Sequence, residues 1–340
     1  MDLSEKIKRR CLSCLIFLLS LHTVAHAGEG AAFDRWGQLT MDNDAFAGED
    51  DGYTGGVAYN WGYTGFSEFD SEALPTWIQY LTRNLYISTL PDRQRAVAYT
   101  VEAKAYTPDD TDSKKNIEDD RPYAGLLLWS GDLYAFNSKI ADRLGLKLGV
   151  VGPASGAEHL QDLAHSISGT DKVKGWDNQL DNEPVIRLEA ERMWRLQEGS
   201  LGSVEFDTIG MTQAGIGNLR SDAGLGAAFR IGRNLSDTWA TASPDPSKMA
   251  HALPGKQRVS WQVFMNVYGS YVANDITIDG NTFEDSHSVS LEHGQAIGAL
   301  GFAFAYDNWG MLFAYQIGTD RFEEQDYDTK FGTLSMSYRF

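Results

Sequence analysis

Beyond residue 14 this chain of 340 residues contains no cysteine; the two it has, Cys11 and Cys14, lie in its first apolar run. Neither a disulfide nor a thiol nucleophile can therefore serve the rest of the molecule. Long apolar runs are also missing. After residue 27 no uninterrupted stretch approaches the roughly 18 residues of a membrane helix, and the mean hydropathy is −0.34. Positive charge is scarce as well. Leaving out residues 1–27 removes four basic and two acidic side chains, so 25 Lys and Arg face 45 Asp and Glu, a net charge of −20. Such a surface opposes nucleic acid, which needs cations to neutralise phosphate, and suits divalent cations, which take carboxylate oxygens. Two motifs are absent. No G-x-S-x-G elbow occurs, since "GPASG" (152–156) has the wrong spacing. "DNDAFA" places Phe46 and Ala47 where an EF-hand needs an oxygen ligand and a glycine.

What is present begins with an address. Lys6, Lys8, Arg9 and Arg10 precede the apolar run 11–21, and Ala25-His26-Ala27 forms an A-x-A cleavage site. Residues 1–27 read as a secretory signal peptide, leaving 28–340 as a single domain of the bacterial envelope. The far end carries a different signal. In "FGTLSMSYRF", Leu334, Met336, Tyr338 and Phe340 alternate with Thr333, Ser335, Ser337 and Arg339. A terminal aromatic closing a two-residue alternation is the mark of an outer-membrane β-barrel.

The same alternation recurs along the chain. "GALGFAFAYDNWGMLFAYQIG" (298–318) reads as two strands joined at Asp307-Asn308, with large apolar residues on one face and small ones on the other. Segments of this kind fall near 35–44, 53–63, 95–106, 123–136, 141–151, 184–196, 202–212, 222–233, 258–272, 294–306, 309–319 and 329–340. The expected fold is all-β: a transmembrane antiparallel barrel of about 12 strands, each near the 9–11 residues a tilted spanning strand needs. With periplasmic termini, odd-to-even connections are extracellular. Two of the periplasmic connections are long. Residues 64–94 contain "PTWIQYLTRNLY", a candidate amphipathic helix on the membrane surface; residues 234–257 are rich in Ser, Pro and Ala and carry no readable function.

Chemistry-bearing residues gather on the extracellular rim. The first connection, "LTMDNDAFAGEDDGYTGG" (39–56), holds Asp42, Asp44, Glu49, Asp50 and Asp51. Asp44 is expected to point into the lumen beside Thr54 as a metal-site carboxylate, while Glu49, Asp50 and Asp51 form a solvated turn. The third-to-fourth connection, 107–125, carries Lys114 and Lys115. The fifth-to-sixth, 152–184, contains a helical stretch at 157–167 in which Gln161 and His165 share a face. His159, six positions from His165, points elsewhere.

"NDAF…DGYTGG", "DRPYAG", "GP…QDLAH" and "GWDNQLDNEP" in this order resemble the lipid A 3′-O-deacylase family, outer-membrane barrels that hydrolyse an acyl ester of lipopolysaccharide. The resemblance spans residues 28–340 and is strongest from Asp42 to Pro184. It implies a twelve-stranded barrel and a Ca²⁺-dependent esterase with a histidine base, acting on lipid A in the outer leaflet. Asn43 and Asp44 match the family's Asn-Asp pair, Thr54 its lumen-facing hydroxyl, and Gln161 and His165 its Gln-x-x-x-His. Lys114 or Lys115 takes the place of its loop lysine, in a loop about two residues shorter. Apart from the resemblance, a histidine deprotonating water, with Ca²⁺ polarising the carbonyl, supplies what ester hydrolysis needs. Two other readings stand beside it. One is a non-enzymatic pore, and the other a phospholipase pairing His165 with Ser166 or Ser168.

Overall fold

A strand whose faces differ this sharply has to put one face against lipid and the other against protein, and closing the sheet leaves no unpaired edge in the bilayer. The computed structural model describes residues 34–44, 55–69, 74–168, 172–236, 238–243, 245 and 259–340. The signal peptide, Thr54, Glu49, Asp50 and Asp51 lie outside these residues, as does the side chain of Ser168. Twelve strands form: β1 (Asp34–Asn43), β2 (Gly55–Phe66), β3 (Gln94–Tyr106), β4 (Ala124–Phe136), β5 (Ile140–Val151), β6 (Glu183–Leu201), β7 (Val204–Ile216), β8 (Arg220–Arg233), β9 (Val259–Asp275), β10 (Gly294–Tyr306), β11 (Trp309–Gly318) and β12 (Thr329–Arg339). Each is antiparallel to its sequence neighbours, and β1 pairs with β12 from Trp36↔Arg339 to Asn43↔Gly332, closing the barrel. The backbone N–H of Phe340 adds a last bond to the Arg35 carbonyl at 2.9 Å. Among the described residues no helix is long and apolar enough to cross a membrane. The strands do the crossing.

Burial follows the alternation. Leu39, Met41, Val101, Leu127, Leu148, Ile186, Leu188, Met265, Leu300, Phe302 and Phe313 are exposed on the outside. Between them, inward residues such as Gln38, Thr40, Glu102, Asp132, Arg143, Lys147, Glu189 and Arg230 are buried. The lumen is laced with ion pairs. Arg143 reaches Asp132 at 2.7 Å and Glu189 at 2.5 Å, and Lys147 reaches Glu102 at 2.8 Å. Unpaired, any one of these buried charges would cost several kcal/mol.

The odd-to-even connections define an upper rim, and the others a lower rim. The long lower connection after β8 turns back into the barrel. Trp239, Thr241, Ala242 and Ser243 are buried there, and the Trp239 ring joins an apolar cluster with Trp36, Tyr134, Met193 and Met211. Two arginines hold it by its backbone. Arg195 donates to the carbonyls of Leu235, Ser236 and Thr238 at 3.0–3.1 Å, and Arg230 to that of Ala240 at 2.7 Å. Asp207 accepts from both arginines, at 3.1 and 2.5 Å. The lower half of the lumen is thereby filled with protein.

The other long lower connection, between β2 and β3, goes outward. Its helices α1 (Thr76–Thr82) and α2 (Tyr86–Thr89) lie against the outer wall. Ile78 and Ile87 pack with Phe66, Phe69, Val97 and Tyr99, the last two being lipid-side positions of β3 that are buried only because this segment covers them. Where the sequence reads one amphipathic helix, two short helices form, and both are docked on the barrel.

Candidate active site

On the upper rim, helix α3 (Ala157–Ser168) follows a short 3-10 turn, Pro153–Ser155. Its position on the wall is set by a glycine. Gly125 shares the outward face of β4 with Leu127; a Cβ there would come within 2.4 Å of Ser155 Oγ and 2.7 Å of Ala157 Cβ. Ala157 is buried among Ala105, Tyr123 and Trp176. α3 therefore sits on the outside of the barrel, over β3 and β4, and carries Gln161 and His165 there. The reason is steric, because small outward residues (Ala105, Gly125) let the loop fold over the rim onto the wall.

Gln161 is anchored from the next motif along. The Trp176 indole N–H donates to Gln161 Oε1 at 2.7 Å, and both side chains are buried. Gln161 Nε2 is buried with no hydrogen-bond partner among the described residues. The Trp176 ring rests on Tyr123 at 5.4 Å, and Gly175 is required beside them, since a Cβ would lie 2.3 Å from the Tyr123 ring. Burial, with Asp110 adding to it, pushes the Tyr123 hydroxyl up to about 12. One turn after Gln161, His165 is half-buried. The structure thus keeps the Gln161–His165 face together and adds Trp176 and Tyr123, which sequence reasoning missed. Trp176 and Tyr123 stand in the "GWDNQLDNEP" and "DRPYAG" motifs that carry the family resemblance.

The neighbouring loop closes over this unit. The Lys174 N–H donates to the Thr111 carbonyl at 3.0 Å, and Asn178 Nδ2 to the Lys114 carbonyl at 3.0 Å. Lys114 and Lys115 both extend into solvent. At the base of the loop Asp120 accepts from the N–H groups of Asp109 and Arg121 at 2.8 and 2.7 Å, yet burial still holds its carboxyl above the usual range. Arg121 lies 4.5 Å over the Tyr106 ring and donates to Thr277 Oγ1 at 3.0 Å.

Asn43 ends β1, opposite Gly332. Asp44 follows it and is buried. Asp42, by contrast, belongs to the lumen, where Thr333 Oγ1 donates to it at 2.6 Å. Among the described residues no three His, Cys, Asp or Glu side chains gather as a metal site. Asp44 supplies one buried carboxylate of the kind Ca²⁺ takes. Ser166 is exposed and its hydroxyl donates to the Leu163 carbonyl at 2.8 Å within its own helix.

The sequence profile of the family described as "Outer membrane protein LpxR" matches residues 12–340. The chain belongs to this family. Among solved structures it is similar to LpxR from Salmonella typhimurium, with a TM-score of 0.71 at 18% identity over 89% of this chain and 99% of that one. The translocator domain of the autotransporter NalP from Neisseria meningitidis is similar only in being a barrel, with 9% identity, full coverage of both chains and a TM-score of 0.41. No curated protein matches it in sequence. Family and fold agree on an outer-membrane β-barrel, and the expected twelve strands are borne out.

Proposed function

We propose that this outer-membrane barrel is an acyl-ester hydrolase that removes an acyl chain from lipid A, of the 3′-O-deacylase type, with its upper rim toward the cell exterior. The observation that carries the reading is the docking of α3 on the outer wall. The helix that carries Gln161 and His165 packs over β3 and β4, strands whose outward Val101 and Leu127 are exposed, and its own Leu160 and Leu163 are exposed. A lipid ester reaches such a place by lateral movement in the leaflet. A small solute would need the lumen, whose lower half is filled, so the pore reading has less support.

In this mechanism His165 takes a proton from water as the water attacks the ester carbonyl. It then returns the proton to the sugar oxygen as the acyl carbon–oxygen bond breaks, releasing a fatty acid. Gln161, fixed by Trp176, steadies the imidazole or the water. Asn43 and Thr54 contribute polar groups toward the developing oxyanion, and Lys114 or Lys115 meets the lipid's phosphates from the loop above. Asp44 is the carboxylate assigned to Ca²⁺, which would polarise the carbonyl when bound. Water as nucleophile leaves Ser166 and Ser168 without a role.

The test is mass spectrometry of lipid A from cells producing the protein. Loss of one ester-linked chain is the expected change. His165→Ala should lower the rate ~10²–10⁴-fold, with His165→Gln no better and Ser166→Ala near wild type. Unmodified lipid A with folded wild-type protein overturns the reading. An inactive but folded Ser166→Ala would replace water by an acyl-enzyme.

A further inference from the structure

The connector between β2 and β3 has two apolar faces where a rim helix in water would need one. Ile78, Thr82 and Ile87 turn to the barrel. On the opposite side Trp77, Tyr80, Leu81 and Tyr86 are 51%, 74%, 61% and 44% exposed. Trp77, Tyr80 and Leu81 stand at i, i+3 and i+4, so they form one stripe. Between Thr76 and Leu90 the only charged residue is Arg83, and it is exposed; outside that stretch Glu68 and Asp92 are exposed and Arg93 is half-exposed.

The barrel holds this segment rigidly. Arg95, on the outward face of β3 yet buried, donates to the carbonyls of Ser67, Arg93, Ser88 and Leu90, the last three at 2.9–3.0 Å. Beside Tyr86, Asp142 is also outward on β5 and buried, and pairs with Arg192 at 2.5 Å. An outward arginine and aspartate tolerate this wall because the connector covers them. Four large side chains, two of them tyrosines and one a tryptophan, are thus pinned on the same outer surface as the lipid-facing belt, with cations at hand. Aromatic rings with neighbouring arginines on a barrel's outer face are the chemistry of a membrane interface, where the ring bodies enter the acyl region and guanidinium groups meet phosphate.

We propose that the β2–β3 connector is an in-plane membrane element, with Trp77, Tyr80, Leu81 and Tyr86 set into the phospholipid leaflet at the lower rim. The occupant of this face is glycerophospholipid, because the face continues the barrel's own lipid belt and Arg83, the one charged residue between Thr76 and Leu90, is a cation in a strongly acidic protein. This inference rests on the barrel being in a membrane and not on the esterase reading.

The cysteine content makes the test clean. With Cys11 and Cys14 replaced by Ser, Tyr80→Cys is labelled with bimane and the protein is refolded into phosphatidylethanolamine–phosphatidylglycerol vesicles. Met265→Cys, mid-strand on the exposed face of β9, and Ser138→Cys, in the exposed turn before β5, serve as lipid and water references. The label at 80 should be quenched by chain-brominated lipid as at 265 and shielded from iodide, unlike that at 138. Iodide quenching equal to that at 138 overturns the proposal. Shielding from both quenchers overturns it too, since a protein surface, such as a second copy, would then cover the face. Leu81→Cys repeats the measurement one residue along, should the label at 80 disturb folding.

Discussion

Trp176→Phe is a probe of the site, because it removes the indole N–H together with the five-membered ring that carries it. The six-membered ring still packs on Tyr123, but Gln161 Oε1 loses the indole N–H at 2.7 Å. Its Nε2 already lacks a partner among the described residues, so the substitution leaves a buried amide satisfied at neither end. Leaving such a group unmet costs ~1–3 kcal/mol, which at about 1.4 kcal/mol per decade is roughly a 5- to 150-fold shift toward an undocked helix. The cost is local, since α3 contributes nothing to strand pairing. Heat-modifiability on a gel should stay unchanged, while amide exchange across 157–168 should accelerate by up to that factor and lipid A hydrolysis should fall as the docked fraction falls. Gln161→Leu placed in the Trp176→Phe background removes the stranded amide. It should restore slow exchange without restoring hydrolysis, separating the docking role of the pair from its chemical role. Unchanged exchange and hydrolysis in Trp176→Phe would refute the account of how Gln161 is held.

Two further outcomes are expected. Asp44→Ala should abolish hydrolysis, as chelation of Ca²⁺ should in the wild type, whereas Asp50→Ala and Asp51→Ala should stay near wild type; equal losses from all three would put the functional boundary of that connection elsewhere. Arg195→Ala with Arg230→Ala frees the segment 235–240 and strands the Asp207 carboxylate, a change worth ~3–5 kcal/mol for each buried pair broken. The thermal midpoint should drop and single-channel conductance should appear in planar bilayers that wild type leaves silent. A silent double variant with an unchanged midpoint would mean the lumen is filled by something other than this arginine-held backbone.

The barrel was legible because its period is local. The hairpin read at 298–318 forms with its turn at Asp307-Asn308, where Asp307 takes a left-handed φ of +49°. Strand ends fall within a few residues of expectation, the largest miss being β6. It runs to Leu201 past the polar "QEGS" because a bulge between Arg195 and Gln197 lets pairing with β7 continue. What could not be read is where the irregular segments go. Gln161 and His165 were visible by helical spacing, but the side of the wall they occupy depends on Gly125 and Ala105, on two earlier strands. The Ser/Pro/Ala-rich stretch after β8 gave no pattern because the barrel holds it by its carbonyls, which every residue has.

The two elements docked on the outside, α3 above and the β2–β3 connector below, share one arc of the circumference, over β2 to β5. Between them Val101, Leu127 and Leu148 are bare. Ala105, under the upper element, and Tyr99, at the edge of the lower one, are six positions apart on β3. At about 3.3 Å per residue and a tilt of roughly 40°, this window is about 15 Å tall, half of the ~30 Å hydrocarbon thickness. A lipid whose ester is held beneath α3 can lay its chains along the wall for about one leaflet's depth before they strike a shelf. If the protein acts on lipid A as proposed, the height of this window would limit how much of an acyl chain can lie along the wall between the two docked elements.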